Sequence, residues 1–340
     1  LTLSSLLLAL PLASCAPADA PKKEPATRVS PGFVPKTPPP AVVAQSVLVI
    51  DAITGRVLTA KNADQRRAVA STQKLMTALL VVEAGSLQDQ VVVEQVDTTV
   101  EPTKLYLKPG EIHTRGTLLK CILVRSANDA SMALARDVGG SKAGFAAMMN
   151  RRARSLGMMN SNFLNPHGLT EEGQFSTARD MAMLARYTYR VPAIRAPMTW
   201  PKYTFVHNDG RSRTLTNTNK LLKRMPNVTG MKTGTTRASG KCLISSAEIN
   251  GRVAIAVVLG STPTSVWSDS EKLLRWALNA PNQTTASVQE SPPPCVSPRR
   301  NWRTSAQTDS CAKSGNFPRG PHPSSGSTAG TWSTSPPTTT

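Results

Sequence analysis

Apolar residues recur along this chain with two periods. Ser46–Asp51 (SVLVID) and Arg56–Ala60 (RVLTA) are short apolar runs flanking Ala52-Ile53-Thr54-Gly55, a strand–turn–strand pattern. Leu75, Met76, Leu79, Leu80 and Val82 then recur mostly at three- and four-residue intervals up to Gly85. That spacing predicts a helix apolar on most sides and therefore buried. Residues 115–124 and 127–138 predict two more helices, parted at Arg125-Ser126 and stopped by Gly139-Gly140. Thr177-Ala178-Arg179-Asp180 has the form of a capping box and starts a helix through Tyr187. Lys241–Glu248 and Arg252–Gly260 read as apolar strands joined across Asn250-Gly251, a hairpin signal. Ser268–Leu278, carrying Leu273, Leu274 and Trp276, predicts a closing helix. Strands thus lie at both ends of the periodic region with helices between. The terminal strands must pair with each other for one sheet to form, so the expected class is α+β, an antiparallel sheet flanked by helices.

Outside residues 46–280 this periodicity stops. Leu1–Ala13 is apolar and small, and leads through Ser14 to Cys15. An apolar run ending at small residues reads as a secretory signal. Leu12-Ala13-Ser14-Cys15 resembles the bacterial lipobox, whose cysteine is lipidated and becomes the mature N-terminus. Segment 1–15 is therefore expected to export the chain and to anchor it to a membrane through an N-terminal lipid. The Met and basic residues that usually open such a signal are not in the sequence, so the true start is expected upstream. Residues 16–45 hold Pro17, Pro21, Pro25, Pro31, Pro35 and Pro38-Pro39-Pro40, the composition of an extended tether. Residues 281–340, rich in Pro, Ser, Thr and Gly, cannot bury enough apolar surface to offset their ordering entropy and are expected to be disordered.

The net charge is +19 in 340 residues, which favours an anionic neighbour. Lysines and arginines cluster only in pairs, such as Lys22-Lys23 and Arg151-Arg152, and no RNA-binding or zinc-finger pattern accompanies them. A basic surface suited to an anionic cell envelope is the better reading, and nucleic acid is not expected as a partner. The longest apolar run, Leu6–Ala13, is too short to cross a bilayer. Cys121 sits in an apolar run and is expected to be a small buried hydrophobe. Cys295 and Cys311 lie in the polar tail, where they are free to pair. No cysteine or histidine spacing suits a metal, so neither metal nor cofactor is expected.

Three short motifs carry candidate chemistry. Ser71-Thr72-Gln73-Lys74 heads the buried helix, and residues three apart share a helix face. A neutral Lys74 amine could take the proton of the Ser71 hydroxyl and make a nucleophile. Ser310-Cys311-Ala312-Lys313 matches the same pattern but heads no apolar helix. Ser126-Ala127-Asn128, between two helices, offers a hydroxyl and an amide to a ligand, although a helix N-cap is the plain alternative. Lys232-Thr233-Gly234-Thr235-Thr236 precedes the C-terminal hairpin. On a strand, Lys232 would supply charge, Gly234 would let a ligand approach the backbone, and Thr233 and Thr235 would present hydroxyls to a carboxylate.

In this order, on helix, interhelical loop and strand, SxxK, SxN and KTG are the signature of penicillin-binding proteins and serine β-lactamases. Ser126–Ala130 (SANDA), Phe145–Asn150 with Leu156-Gly157-Met158, Asn165–Leu169 (NPHGL), Ser176–Asp180 (STARD) and Gly230–Thr236 (GMKTGTT) extend the likeness. Over about residues 42–280 the chain resembles the low-molecular-mass D-alanyl-D-alanine carboxypeptidases, peptidase family S11. That resemblance implies a serine β-lactamase/DD-peptidase-like fold with an all-helical subdomain. It implies Ser71, Lys74 and Ser126 as catalytic residues and Asn128, Lys232, Thr233, Gly234 and Thr235 as substrate-binding residues. The implied partners are peptidoglycan stem peptides and β-lactam antibiotics. The implied reaction is acylation of Ser71, with loss of the terminal D-alanine, on the outer side of the cytoplasmic membrane.

The sequence departs from the family in two places. The tail shows neither the β-rich C-terminal domain nor the amphipathic anchor helix that relatives often carry, which leaves anchoring to a lipid on Cys15. Relatives also often place a basic residue shortly after the last strand, near the substrate carboxylate, whereas Ser261–Ser270 holds none. Alternative readings are a D,D-endopeptidase, a β-lactamase, or a catalytically idle envelope-binding lipoprotein. Glu171-Glu172-Gly173-Gln174-Phe175 lacks the Glu and Asn by which class A β-lactamases activate water. His167 is expected to be a structural loop residue.

Overall fold

The structure is a computed structural model and describes residues 34–279. Cys15, Cys295, Cys311 and the second SxxK copy lie outside the described residues. The hairpin of β1 (Ser46–Asp51) and β2 (Val57–Lys61) opens the domain, and a 3-10 turn, Ala70–Gln73, runs directly into α1 (Lys74–Glu83). A small hairpin of β3 (Gln90–Val92) and β4 (Ile112–Thr114) encloses the short α2 (Gln95–Thr98). Then come α3 (Arg115–Val124), α4 (Asn128–Gly139), α5 (Lys142–Ser155), α6 (Ala178–Tyr189) and α7 (Pro192–Thr199). A second hairpin, β5 (Lys202–Val206) with β6 (Ser212–Thr216), and the short α8 (Leu221–Arg224) lead to β7 (Val228–Thr236), β8 (Gly240–Ile249), β9 (Arg252–Ser261) and α9 (Ser265–Leu278).

The five-stranded sheet has the order β2-β1-β9-β8-β7. Every pairing is antiparallel, and β1 pairs with β9 from Ser46↔Leu259 to Asp51↔Ala254. The two ends of the domain therefore meet, as the apolar pattern requires. Both turns follow from local chemistry. The Asp51 carboxylate accepts from the amides of Ile53 and Thr54, and Gly55 has φ +81°. Asn250 and Gly251 both adopt positive φ, +51° and +73°, the geometry of the tight hairpin turn.

Each face of the sheet has its own apolar layer. Leu48, Ile50, Ile244, Ile255 and Val257 pack with α1, α3, α4 and α6, while Val47, Val49, Leu243, Ala256 and Val258 pack with α9. Each such leucine or valine taken out of water contributes about 1.5–3 kcal/mol. Burial on both faces explains why the strands read as unbroken apolar runs instead of an alternating pattern.

Several expectations are adjusted by the structure. Residues 37–45, read as the end of a tether, already pack on the domain. The Trp276 indole donates to the Thr37 carbonyl, and the Ala44 amide donates to the Asp269 carboxylate. The box at Thr177 is half formed: its hydroxyl accepts from the Asp180 amide, but the Asp180 carboxylate holds Asn160 and Ser161 instead of returning to Thr177. The apolar pattern gives little signal for α5, because its buried face is Phe145, Ala146, Met149 and Ala153 and not a run of leucines. Cys121 is fully buried, and burial pushes its thiol well up, as suits an inert apolar side chain.

Candidate active site

Ser71 lies on the 3-10 turn, not inside α1. In that tighter helix residues three apart eclipse, which brings the Lys74 Nζ to 3.1 Å from the Ser71 Oγ. The turn begins at Ala70 with φ +49°, a region costly for a residue with a side chain. Two glycines let it exist. A Cβ on Gly168 would fall 2.2 Å from the Ala70 carbonyl oxygen, and one on Gly234 would fall 3.0 Å from the Ser71 amide nitrogen. Gly234 thus serves the close approach of β7 to the serine turn, as well as any ligand.

Lys74 is fully buried. Its Nζ donates to the Asn128 Oδ1 at 2.7 Å and to the His167 carbonyl at 2.6 Å. Burial pushes its pKa well below the ordinary lysine value; the positive charge of Lys232 lowers it further and Asp129 opposes the shift. Lys74 Nζ also donates to the Ser71 Oγ, whose own hydroxyl donates to the same His167 carbonyl at 3.1 Å; an amine that has lost one proton would have a lone pair to offer the serine. Lys232 is also fully buried, and burial alone brings its pKa down to about 7. Its Nζ donates to the Thr233 carbonyl at 3.1 Å.

Neither Ser126 nor Asn128 caps α4, whose N-cap is Ala127 with no side-chain bond. The Asn128 side chain turns inward instead, accepting from Lys74 and donating to the Glu101 carbonyl at 2.8 Å. Ser126 has φ +68°, which turns the chain between α3 and α4 and sets Ser126 on the cleft wall. Ser71, Ser126, Thr233, Gly234 and Thr235 line one cleft of about 830 Å³. The Thr233 hydroxyl bonds that of Thr218 at 2.7 Å, and the Thr235 hydroxyl donates to the Gly234 carbonyl.

Supporting residues were not picked out from the sequence. The Asn165 side chain accepts from the His167 and Gly168 amides, and Gln73 donates to the Asn165 carbonyl, so the NPHGL loop is pinned with the His167 carbonyl over Lys74. Burial brings the His167 imidazole down to about pKa 3, helped by the charges of Lys74 and Lys142, and its Nδ1 accepts from the Leu169 amide. The buried Asp129 carboxylate takes the amides of Leu105, Tyr106 and Leu107, fixing the loop that holds Asn128. The NPHGL and SANDA motifs were the only hints of either device. Glu171 pairs with Lys142 at 2.8 Å and is not part of the cleft wall.

A sheet edge set against a helical layer, with a serine hydroxyl meeting a buried lysine between them, defines the serine DD-peptidase class. The family model described as D-alanyl-D-alanine carboxypeptidase, Peptidase S11, matches residues 34–263, and the chain belongs to this family of serine-type hydrolases. It is 39% identical over 261 residues to the D-alanyl-D-alanine carboxypeptidase DacF of Bacillus subtilis, covering 72% of this chain and 67% of the relative. It is 37% identical over 252 residues to DacC of Escherichia coli, covering 70% of this chain and 62% of that protein. The chain thus spans between three fifths and about two thirds of these relatives. The crystal structure of DacD from Francisella tularensis is similar at a TM-score of 0.68 and 29% identity, covering 74% of each chain.

Proposed function

We propose that the chain is a D-Ala-D-Ala carboxypeptidase of peptidoglycan maturation, acting through an acyl-enzyme on Ser71. The observation that carries this reading is the Ser71–Lys74 contact of 3.1 Å inside a site that favours the neutral amine. Lys74 takes the Ser71 proton as the Oγ attacks the carbonyl of the penultimate D-alanine. The amides of Ser71 and Thr235 receive the oxyanion, where one donor is typically worth ~3–4 kcal/mol. The C–N bond then breaks, and the proton held on Lys74 passes by way of Ser126 to the departing nitrogen of D-alanine. Water, deprotonated by the same amine, releases the shortened peptide and restores Ser71. Asn128 holds the peptide backbone, while Thr233 and Thr235 face the terminal carboxylate and the buried Lys232 lends its charge at longer range.

A β-lactam offers the same carbonyl in a strained ring. Its opening leaves the acyl group on Ser71 with no small fragment to depart, so penicillin should label the protein. We further propose that the enzyme works outside the cytoplasmic membrane, held there by a lipid on Cys15, with the remainder of segment 16–45 as its tether and 281–340 as a low-complexity tail.

Labelling with a fluorescent penicillin, compared between wild type and Ser71→Ala, tests the assignment. Wild type should form a covalent adduct and release D-alanine from a stem pentapeptide, and the variant should do neither. An unlabelled wild type would leave an envelope-binding protein. Cleavage of crosslinked dimers with intact pentapeptide ends would make it an endopeptidase.

A further inference from the structure

The cleft wall carries five cationic side chains and, among the described residues, no carboxylate. A carboxypeptidase substrate ends in a carboxylate only two bonds beyond the scissile nitrogen. It must therefore lie close to the end of β7, whose Thr235 amide would hold the oxyanion. The cation that meets it there is not evident from the motifs. Lys232 shares the face of Gly234 but is fully buried, bonded to the Thr233 carbonyl and outside the cleft lining, and Ser261–Ser270 supplies none.

Register singles out one candidate. In the β7–β8 ladder Thr235 stands directly opposite Lys241, and in the β8–β9 ladder Lys241 stands opposite Ser261. Residues directly opposite on antiparallel strands project to the same face, with Cβ atoms about 4.5–5.5 Å apart. Thr235, Lys241 and Ser261 thus form one row across the sheet on the α9 side. Gly260, with φ +67°, lies where the ladder slips and returns Ser261 to that face. Lys241 lines the cleft with Ser71 and Thr235, is only partly exposed, and has no ion-pair or hydrogen-bond partner among the described residues. The nearby Asp269 carboxylate is taken by the Ala44 amide and the Ser261 hydroxyl. Of the other cations, Arg224 is paired with Glu271 at 2.9 Å and Lys220 lies over the Trp267 ring at 5.7 Å. Arg125 follows α3 and Lys223 lies on α8, so neither belongs to the sheet row that carries Thr235.

We propose that Lys241 is the residue that selects a free terminal carboxylate, taking from the middle strand the place of the basic residue missing after β9. This rests on the carboxypeptidase reading and names its specificity determinant. The side chain pairs with the carboxylate beside the Thr235 hydroxyl and takes no part in proton transfer.

The test uses two ligand pairs on the full chain. One is a stem-peptide analogue ending in D-Ala-D-Ala as the free acid or as the terminal carboxamide. The other is benzylpenicillin as the acid or as its methyl ester. Wild type should favour each acid, and Lys241→Met should lower that acid preference by about ten- to a hundredfold, the worth of a hydrogen bond to a charged group. Lys241→Arg should restore it. An unchanged acid preference in a Lys241→Met protein that melts with wild type overturns the proposal. Wild type that acylates with penicillin yet releases no D-alanine sinks the carboxypeptidase reading alone, and the penicillin pair still decides Lys241. No reaction with either pair overturns both.

Discussion

On the helical wall of the cleft, Lys74 is enclosed by carbonyl groups that would suit a cation, yet burial and the neighbouring Lys232 press it toward the neutral form. On the strand wall, Lys232 is equally buried but keeps a pKa of about 7, and Lys241 stands part-exposed across from Thr235. One lysine type thus serves two purposes. Where the amine touches the serine, the surroundings favour its neutral form, which suits the proposed role of base. Along the strand, the proposed role is the opposite one, a charge that meets an anion. The difference lies in depth and company, not in residue identity.

Three experiments break or sharpen that contrast. The largest effect should come from Lys74→Ala, which leaves Ser71 without its base. Penicillin acylation should fall by about a hundred- to ten-thousandfold, the usual range for general base loss, in a stopped-flow or gel-based rate measurement. A smaller fall would mean that another group takes the proton.

The pH profile comes next. Acylation requires neutral Lys74, and it should decline as pH rises through about 7 and Lys232 loses its charge. Lys232→Arg keeps a cation, so the alkaline decline should flatten. The same shift has a stability signature. Between about pH 7 and 10.5 the unfolded Lys232 holds a proton that the folded one has released. This group's contribution therefore makes stability rise with pH across that window, readable from denaturant midpoints. A decline that persists unchanged in Lys232→Arg assigns the limb to another group.

His167→Ala should have the smallest effect. The residue serves Lys74 through its main-chain carbonyl, so removing the imidazole should cost less than about tenfold in acylation. A loss as large as that of Lys74→Ala would give the ring a catalytic part.

Much of the architecture was legible because burial leaves its mark on residue type. The apolar runs of β1, β8 and β9, the Asn250-Gly251 turn and the Leu-rich face of α1 are local signals, and each marked its element to within a few residues. Helices α5 and α7 left weaker marks, one built on alanine and methionine and the other interrupted by Pro197. The residues that pack from Thr37 to Gln45 read as tether, because what they contact, Trp276 and Asp269, is more than two hundred positions away.

The three motifs name Ser71, Lys74, Ser126, Asn128 and the strand Lys232–Thr235 without any structure, since nucleophile, base and cation need particular functional groups at fixed spacing. Geometry decided the rest. A main-chain carbonyl, as at His167, is carried by every residue and has no signature of its own. The clamp of Asp129 on three amides and the place of Lys241 opposite Thr235 depend on loop path and strand register. A sequence specifies those only through the packing of the whole domain, because which side chain meets which across a sheet is settled when distant segments close on one core.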